Sequence, residues 1–297
     1  MLAAAASSAV SRANGPESDE PVVLLTGAGG GIGAATALAF ADRGWRVYAT
    51  DIATPLPERV RERCETRALD VTDETACQRV VDAVVEEAGR LDCLVNNAGY
   101  AVAGPVEDVP VAAVREEFDV LVHGPHALAR AALPRMREQE AGRIVTVSSV
   151  LGLASSPGLG AYAAGKAACE SLHDALRVEL RGEPVAVSLV EPAWVRTVFG
   201  DRARAQLADR ERTDAYERTY AALDRGWVLD GNPLSVDPER VAAAVVRAAE
   251  ADDPDARYPV GGFATFVRWS HWLPAAVVDP IHDAYGRVTS VLGRFGR

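Results

Sequence analysis

Tyr162 and Lys166 lie four residues apart in the stretch AYAAGKAACES, residues 161–171. On a helix this spacing places both side chains on one face, about one turn from each other. A phenol with an ordinary pKa near ~10 is a poor general base at neutral pH unless nearby positive charge stabilises its phenolate. The Lys166 ammonium is such a charge. An alanine-rich helix that merely packs a surface accommodates the same pair, so the rest of the chain decides between packing and proton transfer.

A second group of residues able to do chemistry is TGAGGGIG, residues 26–33, which follows the apolar run PVVLL. After it, IGAATALAFADRG reads as a helix stopped by Gly44. Gly27, Gly31 and Gly33 allow a tight turn and close approach of the backbone to a pyrophosphate, whose charge meets the helix N-terminus. A ligand-free turn or a methyltransferase loop has a similar sequence. Asp51, eighteen residues beyond Gly33 at the end of the next apolar run, favours a dinucleotide. Its carboxylate accepts hydrogen bonds from adenosine ribose hydroxyls and repels a 2′-phosphate. Ile52, Ala53 and Thr54 bring no cation, and Gly30 stands where a basic residue would have met that phosphate. NAD is therefore expected over NADP, with Arg46 or a C-terminal residue as the possible compensating cation.

These groups need a scaffold, and the chain alternates between two kinds of segment. PVVLLTG, WRVYATD, TRALDV, LDCLVNNAG, RIVTVSS and VAVSLVEP read as strands. Between them come helical patterns, among them DETACQRVVDAVVEEAG with Thr72 placed to cap it, and a long helix over about residues 109–139. The alternation predicts an α/β fold, a Rossmann-type doubly wound parallel sheet in a single domain. Residues 1–19 read as a disordered leader and 20–262 as the Rossmann-type domain. Within the latter, 198–235 is an insertion over the C-terminal edge of the sheet, and 263–297 is a C-terminal extension packing on the pocket or on another subunit.

A chain of 297 residues with 48% hydrophobic and 25% charged residues is globular in composition. Its net charge of −11 argues against nucleic acid and anionic membranes as partners. The segment FATFVRWSHWLPAAVVDPIHDAYG is too polar to span a bilayer. Cys64, Cys77, Cys93 and Cys169 show neither disulfide nor zinc spacing, which points to the cytoplasm.

Taken together, the glycine loop, NNAG at Asn96–Gly99 and the Tyr162/Lys166 pair resemble the short-chain dehydrogenase/reductase family, over roughly residues 20–262. The resemblance implies that Ser149, thirteen residues before Tyr162, holds the substrate oxygen. Tyr162 then takes or gives the hydroxyl proton, and Lys166 also binds the nicotinamide ribose. It implies cofactor contacts from Thr26, Gly27, Gly31, Ile32, Gly33 and Asp51, and from Asp70, Val71, Asn97, Ala98 and Gly99. EPAWVRT resembles the family's PGxVxT segment, so Pro192, Val195 and Thr197 are expected at the nicotinamide, with Ala193 in place of the usual glycine. Ser148 is expected to be structural. The family also suggests a homodimer or homotetramer built on the two long helices.

One departure is chemical. Leu121 stands where the family usually carries an Asn that supports a break in the helix. Pro125 clashes with the carbonyl four residues before it, that of Leu121, so it is expected to take over the helix-breaking task. His123 and His126 read as parts of a packed helix face. Leu153, Leu159, Trp194, Val198 and Phe199, with Trp269, Trp272 and Leu273 of the tail, suggest a hydrophobic secondary alcohol or ketone as substrate. The implied enzyme is an NAD-preferring oxidoreductase. A nucleotide-sensing regulator of weak or no activity is the alternative that Leu121 raises.

Overall fold

The computed structural model describes residues 20–196, 211–225 and 235–270, together with residues 200, 203, 207, 273, 274, 276 and 277. The expected leader, Thr197, Val198, Phe199, Trp272 and residues 278–297 lie outside the described residues.

In chain order the elements are β1 (Val22–Thr26), α1 (Gly31–Ala41), β2 (Arg46–Asp51), α2 (Glu58–Arg61), β3 (Glu65–Ala68), α3 (Glu74–Ala88), β4 (Cys93–Asn96), α4 (Val111–Phe118) and α5 (Gly124–Glu138). They continue with β5 (Gly142–Val147), α6 (Gly160–Glu179), β6 (Val185–Pro192), α7 (Glu217–Asp224), α8 (Pro238–Glu250), β7 (Arg257–Val260) and α9 (Gly262–Ser270). The seven strands form one parallel sheet in the order β3-β2-β1-β4-β5-β6-β7. β1 and β4 are buried along their whole length, as expected for central strands covered by helices on both faces. Edge strand β3 instead alternates, with Thr66 and Ala68 exposed.

Two cores flank the sheet. Phe40 of α1 and Val245 of α8 fill one, and Cys77 of α3 and Leu128 and Met136 of α5 fill the other. A third lies beyond the C-terminal strand ends, where Ala264 and Val267 of α9 join Leu121, Leu159 and Tyr162. The start of the C-terminal extension thus packs beside the expected pocket. Among the described residues, no helix is long and apolar enough to cross a membrane.

Two local features differ from a simple reading of the sequence. Asp73, not Thr72, caps α3: its carboxylate accepts the Ala76 N–H at 3.0 Å, while the Thr72 hydroxyl donates to Asp70 at 2.7 Å. A carboxylate at that position also complements the helix dipole. The helix over residues 109–139 starts only after Pro110 and is interrupted by a π turn at Asp119–His123.

His173 of α6 is buried and joins three elements. Its Nδ1 donates to the Cys169 carbonyl at 2.8 Å, so Nε2 accepts from the Thr146 hydroxyl of β5, also at 2.8 Å. Thr146 in turn accepts from the Asn96 amide of β4 at 3.2 Å. Burial holds the imidazole below its ordinary 6.5, so it is neutral here. The unfolded chain therefore binds the His173 proton first, and this group's contribution to stability, present above pH 6.5, is lost as pH falls through the folded pKa. Urea unfolding of wild type against His173→Gln should show a difference that shrinks as pH drops below 6.5, by up to about 1.4 kcal/mol per pH unit.

Candidate active site

The cleft begins where the sheet changes direction. β1 neighbours both β2 and β4, and the chain leaves these strands toward opposite sides, which opens a crevice at their C-terminal ends. Gly27 lies in that gap with φ +73°, and a Cβ on it would come within 2.7 Å of the Ala98 Cα. Only glycine allows this approach. Asn97 closes it, donating from Nδ2 to the carbonyls of Thr26 and Gly27, both at 3.0 Å. Gly33 serves helix–turn packing, since its Cβ would meet the Gly27 oxygen at 1.9 Å.

Gly30 differs, because nothing lies within 4 Å of where its Cβ would be. It is the N-cap of α1 and brings no side-chain cap, and the first intrahelical bond runs from Ala34 N–H to its carbonyl. The N–H groups of Gly31, Ile32 and Gly33 thus precede that bond beside open space. An uncapped helix start of this kind suits the pyrophosphate of a dinucleotide. Asp51 is fixed nearby, accepting from Gly29 N–H at 2.8 Å and Ala53 N–H at 2.9 Å. The donor set and the open space fit NAD(P).

The cleft encloses about 490 Å³. Its wall brings together Gly27, Gly31, Ile32, Gly33, Asp51, Asp70, Val71, Asn97, Ala98 and Gly99 with Ser149, Tyr162, Lys166, Pro192 and Val195. Thr26 is not on the wall. It is buried at 2% exposure, and its hydroxyl accepts the N–H groups of Asn97 and Ala98, so it supports the wall from behind.

Ser149 stands two residues beyond β5 as the N-cap of a short 3-10 turn, with its Oγ accepting from Leu151 N–H at 3.1 Å. It also hydrogen-bonds Tyr162. The buried Lys166 Nζ donates to the Val147 carbonyl at 2.7 Å and lies 5.8 Å from the centre of the Tyr162 ring. Burial pushes the Tyr162 phenol up, opposed by the Ser149 bond, and pushes the Lys166 ammonium down. Burial is the largest influence on the phenol, ahead of the Ser149 bond, and the charge of Glu117 also raises it. The phenol stays protonated at neutral pH, the form that donates a proton to a carbonyl oxygen.

Leu121 is buried in the π turn, where the Gly124 N–H reaches back five residues to the Asp119 carbonyl. Pro125 follows at once and has no N–H to give. The leucine side chain fills the gap between the Asn97–Gly99 turn and α6: its methyls lie 3.0 Å from where a Gly99 Cβ would be and 2.9 Å from that of Gly165. His123 faces outward and pairs with Asp119 at 2.8 Å.

An ion cluster behind the site is not apparent in the sequence motifs. Ser148 donates to Glu170 at 2.6 Å. The Arg257 guanidinium binds Glu170 at 2.6 Å and also Glu191 and Asp174. Arg268 of α9 approaches Glu191 at 3.5 Å. The signal was present as charge in otherwise apolar positions: Glu170 stands one turn after Lys166, and Glu191 ends the apolar run of β6.

The sequence profile for short chain dehydrogenases matches residues 21–208. An oxidoreductase of Escherichia coli K12, YbbO, itself of uncharacterized function, is 35% identical over 87% of this chain and 93% of its own. The NADPH-dependent 3-dehydrocapnine reductase of Ornithobacterium rhinotracheale is 32% identical over 87% and 94%. Among solved structures, a short-chain dehydrogenase/reductase of Burkholderia phymatum in complex with NAD superposes with a TM-score of 0.72 at 28% identity, over 86% of this chain and 94% of that one. This chain belongs to the short-chain dehydrogenase/reductase family. It is an oxidoreductase acting on CH–OH groups, on a fold that binds NAD(P).

The contact between Leu121 and Gly165 is testable. Gly165→Ala should destabilise by about 1–3 kcal/mol through overpacking, and Leu121→Ala by about 2–5 kcal/mol through the cavity it leaves. The double variant should be more stable than the sum of the two, as read from denaturant midpoints, because each change relieves the other.

Proposed function

We propose that the enzyme interconverts a hydrophobic ketone and its secondary alcohol, with NAD preferred over NADP. The observation that carries this is the convergence of Ser149, Tyr162 and Lys166 on a cleft whose nearby wall is apolar, formed by Leu151, Leu159 and Trp194. Bound NAD supplies the hydride acceptor or donor. Ser149 holds the carbonyl oxygen, Tyr162 gives it a proton or takes one from the alcohol, and Lys166 offers its remaining N–H donors to the nicotinamide ribose. Pro192 and Val195 flank that end, and Thr197 is assigned to the carboxamide.

Asp51 supports the NAD preference. Lys166 is the one cation among the described residues on the cleft wall. Arg46 sits at the opposite end of β2, bound to Glu65 at 2.6 Å, and offers no compensation at Asp51. The dehydrocapnine reductase uses NADPH and the Burkholderia protein was solved with NAD, so the cofactor is decided by this chain's own residues. The four free thiols agree with a cytoplasmic location. Exposed Val111 of α4 and Leu172 and Val178 of α6 suit a homodimer or homotetramer built on the long helices. A nucleotide-sensing regulator, favoured by Leu121 at the family's Asn position, differs in one result: it binds NAD without turnover.

Purified protein assayed with NAD and a panel of secondary alcohols, and with NADH and ketones, tests the proposal directly. Tyr162→Phe should lower kcat by about 10²–10⁴-fold while calorimetric NAD affinity stays near wild type. Equal activity of this variant would refute the assignment. Asp51→Ala should lose about 10- to 100-fold in kcat/KM for NAD and narrow the preference over NADP. A wild-type preference for NADP would overturn the cofactor reading.

A further inference from the structure

A row of aromatic rings leads out of the cleft. Trp194 lines the cleft wall, and its ring lies 5.0 Å from that of Phe263 on α9. Phe263 lies 6.4 Å from Phe266, which is 51% exposed. Trp269, 75% exposed, continues the i, i+3 stripe along the same helix. Ala264 and Val267 are buried on the inward side of α9, and Arg268 reaches Glu191 at 3.5 Å. Phe263, like Trp194, is partly buried against this core, while Phe266 and Trp269 stand on the outer side of the helix. Large apolar side chains on a surface call for an occupant, and this row is continuous with the wall of the reacting cleft.

We infer that the Trp194–Phe263–Phe266 row is an extended subsite for a linear alkyl or acyl chain carried by the substrate. This rests on the ketone/alcohol reading above and narrows it to substrates with an unbranched apolar tail. The reacting carbon sits at Ser149 and Tyr162, the first methylenes pass Leu151 and Leu159, and the tail crosses Trp194 and lies over the rings of α9. The two ring-to-ring steps, 5.0 and 6.4 Å, give room for about nine methylenes of an extended chain beyond the cleft wall. A second copy of the chain seated on the same face is the competing occupant. The continuity through Trp194 favours the tail, because a subunit contact has no need to connect with the cleft.

The test uses a series of 2-alkanones from pentanone to undecanone, with wild type and Phe266→Ser. Wild-type kcat/KM should rise with chain length, approaching fourfold per added methylene where the chain is fully buried. Phe266→Ser should lower the undecanone-to-pentanone ratio by about tenfold. Binding of the same ketones in the presence of NAD, followed by tryptophan fluorescence, keeps the readout independent of turnover. Length-dependent binding without turnover would overturn the ketone reading and leave the subsite standing. Turnover that is flat with chain length, or a ratio unchanged in Phe266→Ser, would overturn the subsite alone. A change of oligomeric state in that variant with the length dependence intact would assign the face to a second copy and overturn it as well.

Discussion

The site depends on the closeness of two strand ends. Where β1 and β4 leave the sheet, Gly27 and Ala98 approach to a distance that leaves no room for a side chain on the glycine. Reciprocal hydrogen bonds hold that approach: the Thr26 hydroxyl takes the N–H groups of Asn97 and Ala98, and the Asn97 amide takes the carbonyls of Thr26 and Gly27. With the two turns clamped, the start of α1 is held at the crevice, and Asp51 is fixed beside it through the Gly29 N–H. The bonds are modest individually, but they lie where a buried polar group without a partner is expensive, so the turns are held together or not at all.

The catalytic helix is seated by a different kind of contact. Three residues on one face of α6 each grip the end of β5: Lys166 takes the Val147 carbonyl, Glu170 the Ser148 hydroxyl and His173 the Thr146 hydroxyl. Their spacing of four and three residues is what a buried helix stripe uses, here with polar groups in place of leucines. An apolar stripe tolerates small shifts, whereas hydrogen bonds with fixed partners define one position along the strand. The placement of Tyr162 beside Ser149 follows from that register.

The seam also explains what a reader of the sequence can and cannot see. Continuous apolar runs made β1, β4, β5 and β6 visible, and the glycine loop and the Tyr162–Lys166 spacing are local patterns that carry their own geometry. Thr72 and Asp73 are adjacent residues that both cap helices well, and only the backbone at the turn decides between them. Glu170, His173 and Glu191 read as ordinary helix or strand-end residues, because their partners are supplied from 22 to 87 residues away. Pro125 announced a break near Leu121. That the break is a π turn, with the leucine filling the space between two glycines, depends on three segments meeting.

Arg257 gives the ion cluster a consequence for how the molecule is made. The carboxylates it binds, on α6 and at the end of β6, are synthesised well before it, and Arg268 of α9 comes later still. A growing chain as far as Pro192 already contains the glycine loop, Ser149, Tyr162 and Lys166, yet its Glu170 and Glu191 have no guanidinium to meet. Burying those carboxylates alone is unfavourable. On the ribosome, the catalytic helix therefore has reason to wait for the edge strand β7 before it settles.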